Sequence, residues 1–509
     1  MRPKFRNASR LWVLFVSLLL AILGNSLFAT SVAAQGLTDL GVHPPPTSGP
    51  YPYSPPGSWI PGSAGFPAQG TTYVDPVFGQ TIRRLTNVYP NVGDSELYAK
   101  NGLWNADGTR IIHNSDANGT HDIIDTTTGA VVRGNIPWDG EPTFDPNFPD
   151  VFYYASGTTL QKLLLSTGTS VRVKDFEVSI AGYDNLGGTL NSVDNSGRYF
   201  LLNFNGTVRV WDAIDASGRL PGDPAYVSQA TGLSGVLTGG FPASEFNTSN
   251  GYAGIAPDAS GVISVYTDDT GNPLIWHTID KVNKTLDSTG VNRGPNDGGD
   301  HGAMLWASDG NVYFVTLSNS PGWSVQRYNL TQGGPRVQLL QPGTNNSDEH
   351  LSCIPRGSLR DWCVIDLETG LSGNNDLASW DAFHQEIFMV NVLTPNTVRR
   401  LAHHRSQDTA QSYTWQPRVS VNWDGTQVAY LSNYGFLQNQ YSDLWTVATV
   451  PGRRHHHGGR QDHLGPRLSN QAPSVRSETP KTGGAVLSIS SKRRSRMAGA
   501  ESSAWQDPR

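Results

Sequence analysis

The chain has 509 residues and a formal charge of only -6, with Lys and Arg scattered rather than striped, which excludes a nucleic-acid-binding face. Its 55 glycines and 33 prolines, with helical periodicity almost absent, describe a turn-rich all-β chain and exclude helical bundles and coiled coils. Only the C-terminal end is locally basic.

Residues 1–34 have the layout of a secretory signal peptide. Four basic side chains lie between Arg2 and Arg10, an apolar run spans Leu11 to Leu23, and small residues lead up to Ala34. The protein is therefore expected to be exported, secreted or periplasmic. No later run approaches the roughly 20 apolar residues of a membrane span, so the mature chain is expected to have no transmembrane segment. Residues 35–70 (HPPPTSGPYPYSPPGSWIPGSAG within them) are rich in Pro, Gly and Ser and read as a linker or wrapped arm. Residues 453–509 lack any strand or helix period and read as a disordered tail.

Between these ends, over 71–452, one pattern repeats: an apolar strand, a turn of Asp, Asn or Gly, and a second apolar strand. It recurs seven times, as LWNADGTRIIH from Leu103, FDPNFPDVFYY from Phe144, SVDNSGRYFLL from Ser192, GIAPDASGVISVY from Gly254, LWASDGNVYFV from Leu305, CIPRGSLRDWCVI from Cys353 and VNWDGTQVAYL from Val421. Most copies are followed by a third and a fourth short strand. Seven units of four short strands predict a seven-bladed β-propeller. The two cysteines, Cys353 and Cys363, flank a Gly-Ser turn at nearly matched distances; paired flanks let an oxidising compartment close a disulfide, the alternative being two buried thiols.

In a propeller the segments leading into the first strand of each blade converge on one mouth of the central funnel. Here they hold DGEPTF with Glu141, GDHGAML with Asp300 and His301, SDEHLSC with Glu349 and His350, and AHHRSQDTAQSYTWQPRVS with His403, His404, Arg405, Gln411, Tyr413, Trp415, Gln416 and Arg418. Polar, titratable and metal-competent side chains thus gather at one place. Tyr413, Trp415 and Trp306 offer flat faces to sugar rings, although packing between blades is the expectation for Trp306. Asp366 and Glu368, in VIDLETG, read as an ordinary strand and turn.

At these residues the sequence resembles the oligogalacturonate lyases, and more loosely the TolB and tricorn-like propellers with their Asp-Gly blade turns. QSYTWQPRVSVNWDG keeps the length of the family's last-blade motif. The resemblance places Gln411 on the metal-binding glutamine, Thr414 and Gln416 on two metal-binding histidines, His350 on the remaining metal histidine, and His301 near the proton-abstracting histidine. With Thr414 and Gln416 in place of imidazoles, one ring nitrogen and amide oxygens remain, a poor set for a borderline metal unless His403 or His404 joins it.

The chemistry this implies is β-elimination on an acidic polysaccharide or oligosaccharide. Removal of the proton beside a uronate carboxylate needs a base, His301, and positive charge on the carboxylate, from a divalent ion (manganese or calcium) or from Arg405 or Arg418. Glu141, Asp300, Glu349, Tyr413 and Trp415 are the expected substrate contacts, and the protein is expected to work as a monomer. The other reading is a non-catalytic envelope or extracellular propeller that binds a glycan or protein in the same funnel.

Overall fold

The protein is seen in a computed structural model. It describes residues 39–449 except 49–51, 54–59, 64, 90–93, 96–101, 116–119, 137–138, 182–191, 246–251, 266–272, 296–300, 319–322, 343–345, 370–376, 378–379, 408–415 and 437–440. The expected signal peptide and C-terminal tail lie outside the described residues.

Each repeated hairpin is the inner half of a small antiparallel sheet, and seven such sheets form a seven-bladed β-propeller. Blades one to six run in chain order, with inner strands beginning at Asp94, Asp139, Ile180, Tyr252, Ala303 and Asn346. The seventh is closed from both ends of the chain. Thr72–Val74 and Thr81–Arg84 add to Asp443–Ala448, Gln427–Ser432 and Ser420–Val421, with Ile82 opposite Val447 and Arg84 opposite Trp445. Among the described residues the only helical turns are short 3-10 pieces, and no helix is long and apolar enough to cross a membrane.

The repeated turn works by the same local chemistry in each blade that has it. An Asp carboxylate accepts the N–H two residues on, from Thr109, Ser260, Asn311 and Thr426, and the residue between takes a left-handed conformation. Glycine fills that position in three of the four, and Ala259 (φ 54°) in blade four. Alternate strand residues then face neighbouring blades, so the core is a series of apolar layers between sheets; one packs Trp104, Ile111, Val421, Tyr430 and Trp445 between blades one and seven.

At the hairpin face one side chain reaches across the ring. Arg356, from the blade-six turn, lies 4.2 Å from the Trp423 ring and donates through Nη1 to the carbonyl of Pro146 in the blade-two turn at 2.9 Å. In a ring of seven these two blades are three places apart, the largest separation the ring allows.

Cys353 and Cys363 form a disulfide across the blade-six hairpin, both sulfurs buried. Closing this short loop is expected to contribute roughly 2–3 kcal/mol. Non-reducing peptide mapping should recover the two cysteines joined, and denaturation of the Cys353→Ala, Cys363→Ala double variant should show a loss of that size; free thiols in the purified protein would overturn the expectation.

Candidate functional site

The inner strand of blade six, Asn346–Ser352, pairs with Trp362–Thr369 so that His350 stands opposite Asp366 and Asp348 opposite Glu368. Period-two alternation puts His350, Asp366 and Glu368 on one face of the sheet, toward blade seven. The three are buried, and their ligating atoms lie within 4.8 Å of one another. Nδ1 of His350 is 3.0 Å from Oε1 of Glu368, where a ring N–H donates to the carboxylate, and 3.8 Å from Oδ1 of Asp366. Asp366 is itself fixed by backbone: it accepts the N–H of His350 at 2.9 Å and that of Val419 at 3.0 Å. The second bond draws the start of blade seven onto the cluster.

His301 approaches from blade five. Its ring stacks on that of His350, centroids 4.5 Å apart and planes 28° from parallel, and its carbonyl accepts from the Thr316 hydroxyl at 2.6 Å. Thus His301 and His350, far apart in sequence, meet as a buried imidazole pair with Glu368 behind it. Gln416 and Arg418 are buried just ahead of the blade-seven strand, and Arg418 adopts a left-handed backbone (φ 49°), a strained state for a long side chain.

The remaining residues of this stretch take other positions. His403 Nε2 lies 2.7 Å from the carbonyl of His43 in the N-terminal arm, and its ring packs 5.0 Å from Phe78. His404 places Nε2 3.1 Å from the carbonyl of Leu367 and accepts the Ser406 N–H on Nδ1 at 3.0 Å, so both ring nitrogens are committed to backbone. Arg405, at φ 58°, is buried among Tyr434, Tyr73, Tyr430 and Asp75. Burial alone would lower its basicity; the neighbouring phenols and Asp75 hold it above the ordinary arginine value. Tyr73 sits on the outermost strand of the closing sheet and Tyr430 on the strand next to its innermost one, so Arg405 is shared between groups from both sides of that blade. Glu141 and Glu349 are placed through their backbone, in the inner strands of blades two and six. Asp300, Gln411, Tyr413, Thr414 and Trp415 lie outside the described residues.

No protein-family model matches the chain, and no curated protein does. Solved structures do. An oligogalacturonate lyase from Vibrio parahaemolyticus is 12% identical with a TM-score of 0.45, the alignment covering 74% of this chain and 96% of that one. An oligogalacturonate lyase in complex with manganese is 16% identical with a TM-score of 0.45, covering 75% and 96%. A hydrazine synthase from Kuenenia stuttgartiensis is 10% identical with a TM-score of 0.38, covering 70% and 96%. The likeness is one of fold.

Asp366 and Glu368, which in sequence read as an ordinary strand and turn, complete the cluster. A signal for them exists. Carrying the Cys353 to Cys363 pairing three residues further along each strand sets His350 opposite Asp366, and two acids alternating through an apolar strand mark one face as polar. Trp306, expected to pack between blades, is instead 39% exposed.

Proposed function

We propose that the protein is an exported propeller that grips an acidic sugar chain at the mouth between blades five and seven and cleaves it by β-elimination. The observation that carries this reading is the buried His301 and His350 pair backed by Glu368. One imidazole and two carboxylates form an oxygen-rich donor set that suits manganese or calcium, and burial of two acids with one histidine favours added positive charge. A divalent ion held by His350, Asp366 and Glu368 would neutralise the uronate carboxylate.

The chain's own residues do the rest. Without an ion, Glu368 accepts from Nδ1 of His350 and sets the direction of the ring, and Asp366 is held by two backbone amides; an ion bound by all three would take the place of that Nδ1 proton. The stack on His350 holds the His301 ring, which takes the proton from the carbon beside the carboxylate. The electron pair forms the new carbon–carbon double bond as the bond to the leaving glycosidic oxygen breaks, that oxygen takes a proton from solvent water, and His301 returns its own proton to solvent afterwards. Gln416 and Arg418 bracket the far side of the sugar.

The test is incubation with polygalacturonate, alginate, ulvan and glycosaminoglycans with manganese or calcium, followed by ultraviolet absorbance of unsaturated uronate ends. One of these substrates should respond, and His301→Gln, which keeps most of the buried volume but cannot act as the base, should reduce the rate roughly 10²- to 10⁴-fold in protein whose circular dichroism shows the fold intact. Silence on all four substrates overturns the lyase reading. A glycan-binding propeller without catalysis is the second reading, favoured by Gln416 and Thr414 standing where the lyase motif has histidines; it predicts retention of one of these polymers without unsaturated ends.

A further inference from the structure

We propose that the hairpin face of the ring, opposite the mouth, carries a separate binding site for an uncharged hexose chain, centred on Trp306. It stands independently of the lyase reading. The first observation is a comparison within the chain. Trp104 and Trp306 occupy the same place in the same repeat, LWNADG in blade one and LWASDG in blade five. Trp104 is wholly buried against the preceding blade, its Nε1 donating to the carbonyl of Ser420 at 3.1 Å. Trp306 meets no such strand and looks onto a cavity of about 840 Å³ that it shares with Tyr199, Arg198, Leu220, Asp258 and Lys281. Arg360 lies 5.8 Å from the ring, which still keeps its exposure.

The second observation is how the cavity is walled. Its outer side is the connection 213–240 of blade three, far longer than its counterparts and tied down along its length. Two lysines of blade two reach it: Lys162 Nζ donates to the carbonyl of Pro221 at 2.6 Å, and Lys174 Nζ to the hydroxyl of Ser234 at 2.9 Å. Asp215 caps the N–H groups of Ser217 and Arg219, and Thr238–Gly239 pairs in parallel with Thr285–Leu286 of blade four. A long connection so fully anchored is the kind of loop that builds sites rather than the kind that merely spans a gap.

The lining chooses the ligand. Arg198 is engaged by both oxygens of Asp212, at 2.7 and 2.8 Å, and Lys281 donates to the carbonyl of Asp258 at 2.7 Å. Arg198 and Lys281 balance Asp194 and Asp258, so the cavity offers a uronate no net attraction. It does offer donors and acceptors for hydroxyls around one flat apolar ring, which is what the C–H face and the rim of a neutral hexose require, in a volume typical of small-ligand sites.

Isothermal titration of the full-length protein with cellohexaose, mannohexaose and hexagalacturonate tests this. At least one neutral hexaose should bind; Trp306→Ala should weaken it roughly 10-fold or more, and Trp306→Phe should restore most of the affinity. Both variants should keep the wild-type melting temperature and the wild-type response to hexagalacturonate, including any release of unsaturated ends. Failure of the wild-type protein to bind either neutral hexaose, or equal binding by Trp306→Ala, overturns the proposal whatever the outcome at the mouth.

Discussion

Replacing Arg84 by Ala is expected to cost about 3–5 kcal/mol of stability, a fall in melting temperature of about 4–6 °C for a ring of this size. Arg84 stands on the strand that the N-terminal side of the chain lends to the last blade, and Asp443 stands on the strand it joins. Both are buried. Nε meets Oδ2 of Asp443 at 2.6 Å, Nη1 donates to the carbonyl of Pro67 at 2.7 Å, Nη2 donates to Asn87 at 2.7 Å, and the guanidinium lies 4.7 Å from the Phe66 ring. On the other side Asp443 accepts from Thr86, from the N–H of Val88 and from the Tyr441 hydroxyl. Truncation leaves this carboxylate buried without its cation, at the one seam where the ring is closed by distant parts of the chain. Removing Asp443 as well should recover part of the loss, since the two groups act as a unit. Chemical denaturation decides it: a loss below about 1 kcal/mol for Arg84→Ala would show that the seam is held by strand pairing alone.

Acid should unfold the protein early, and His404 should be a main cause. Burial, reinforced by nearby His384 and only partly offset by the bond to the Leu367 carbonyl, brings its pKa down to about 3. In the unfolded chain the ring takes a proton near pH 6.5. Between these values the unfolded state binds a proton that the folded state refuses, so the stability is fully present above about pH 6.5 and is lost as the pH falls toward about 3. The loss attributable to this one ring is on the order of 5 kcal/mol at its limit. His403, lowered in the same direction by burial and by Arg405, adds to it. His404→Gln keeps a donor and an acceptor but cannot be protonated, so its stability should fall less steeply over that range. Parallel stability curves for the two proteins would remove His404 from the account.

How far the sequence carried depended on whether the information was local. The blade turns were legible because each is a self-contained device: an Asp that caps, a residue at positive φ, and strands of period two on either side. Seven copies then dictate a ring. His301 and His350 were legible as residues near the mouth, because their distance from their own hairpins is a matter of local spacing. Their stacking was not, since it depends on the angle between two blades. Asp366 and Glu368 escaped for a different reason: an isolated acid in a strand is ordinarily solvent-facing, and only the cross-strand register reveals that these two point at a histidine. The roles of His403 and His404 depend on where the N-terminal arm and the second strand of blade six pass, which no spacing encodes. Trp306 differs from Trp104 only in its neighbours.

The reach of Arg356 across the hairpin face works as a tie rod. It joins the blade-six turn to the blade-two turn, so a load that spreads the ring is shared by two blades that are not neighbours. Arg356→Ala should therefore leave each blade's own sheet paired while letting the ring open more readily, read as faster amide exchange where Thr81–Arg84 meets Asp443–Ala448.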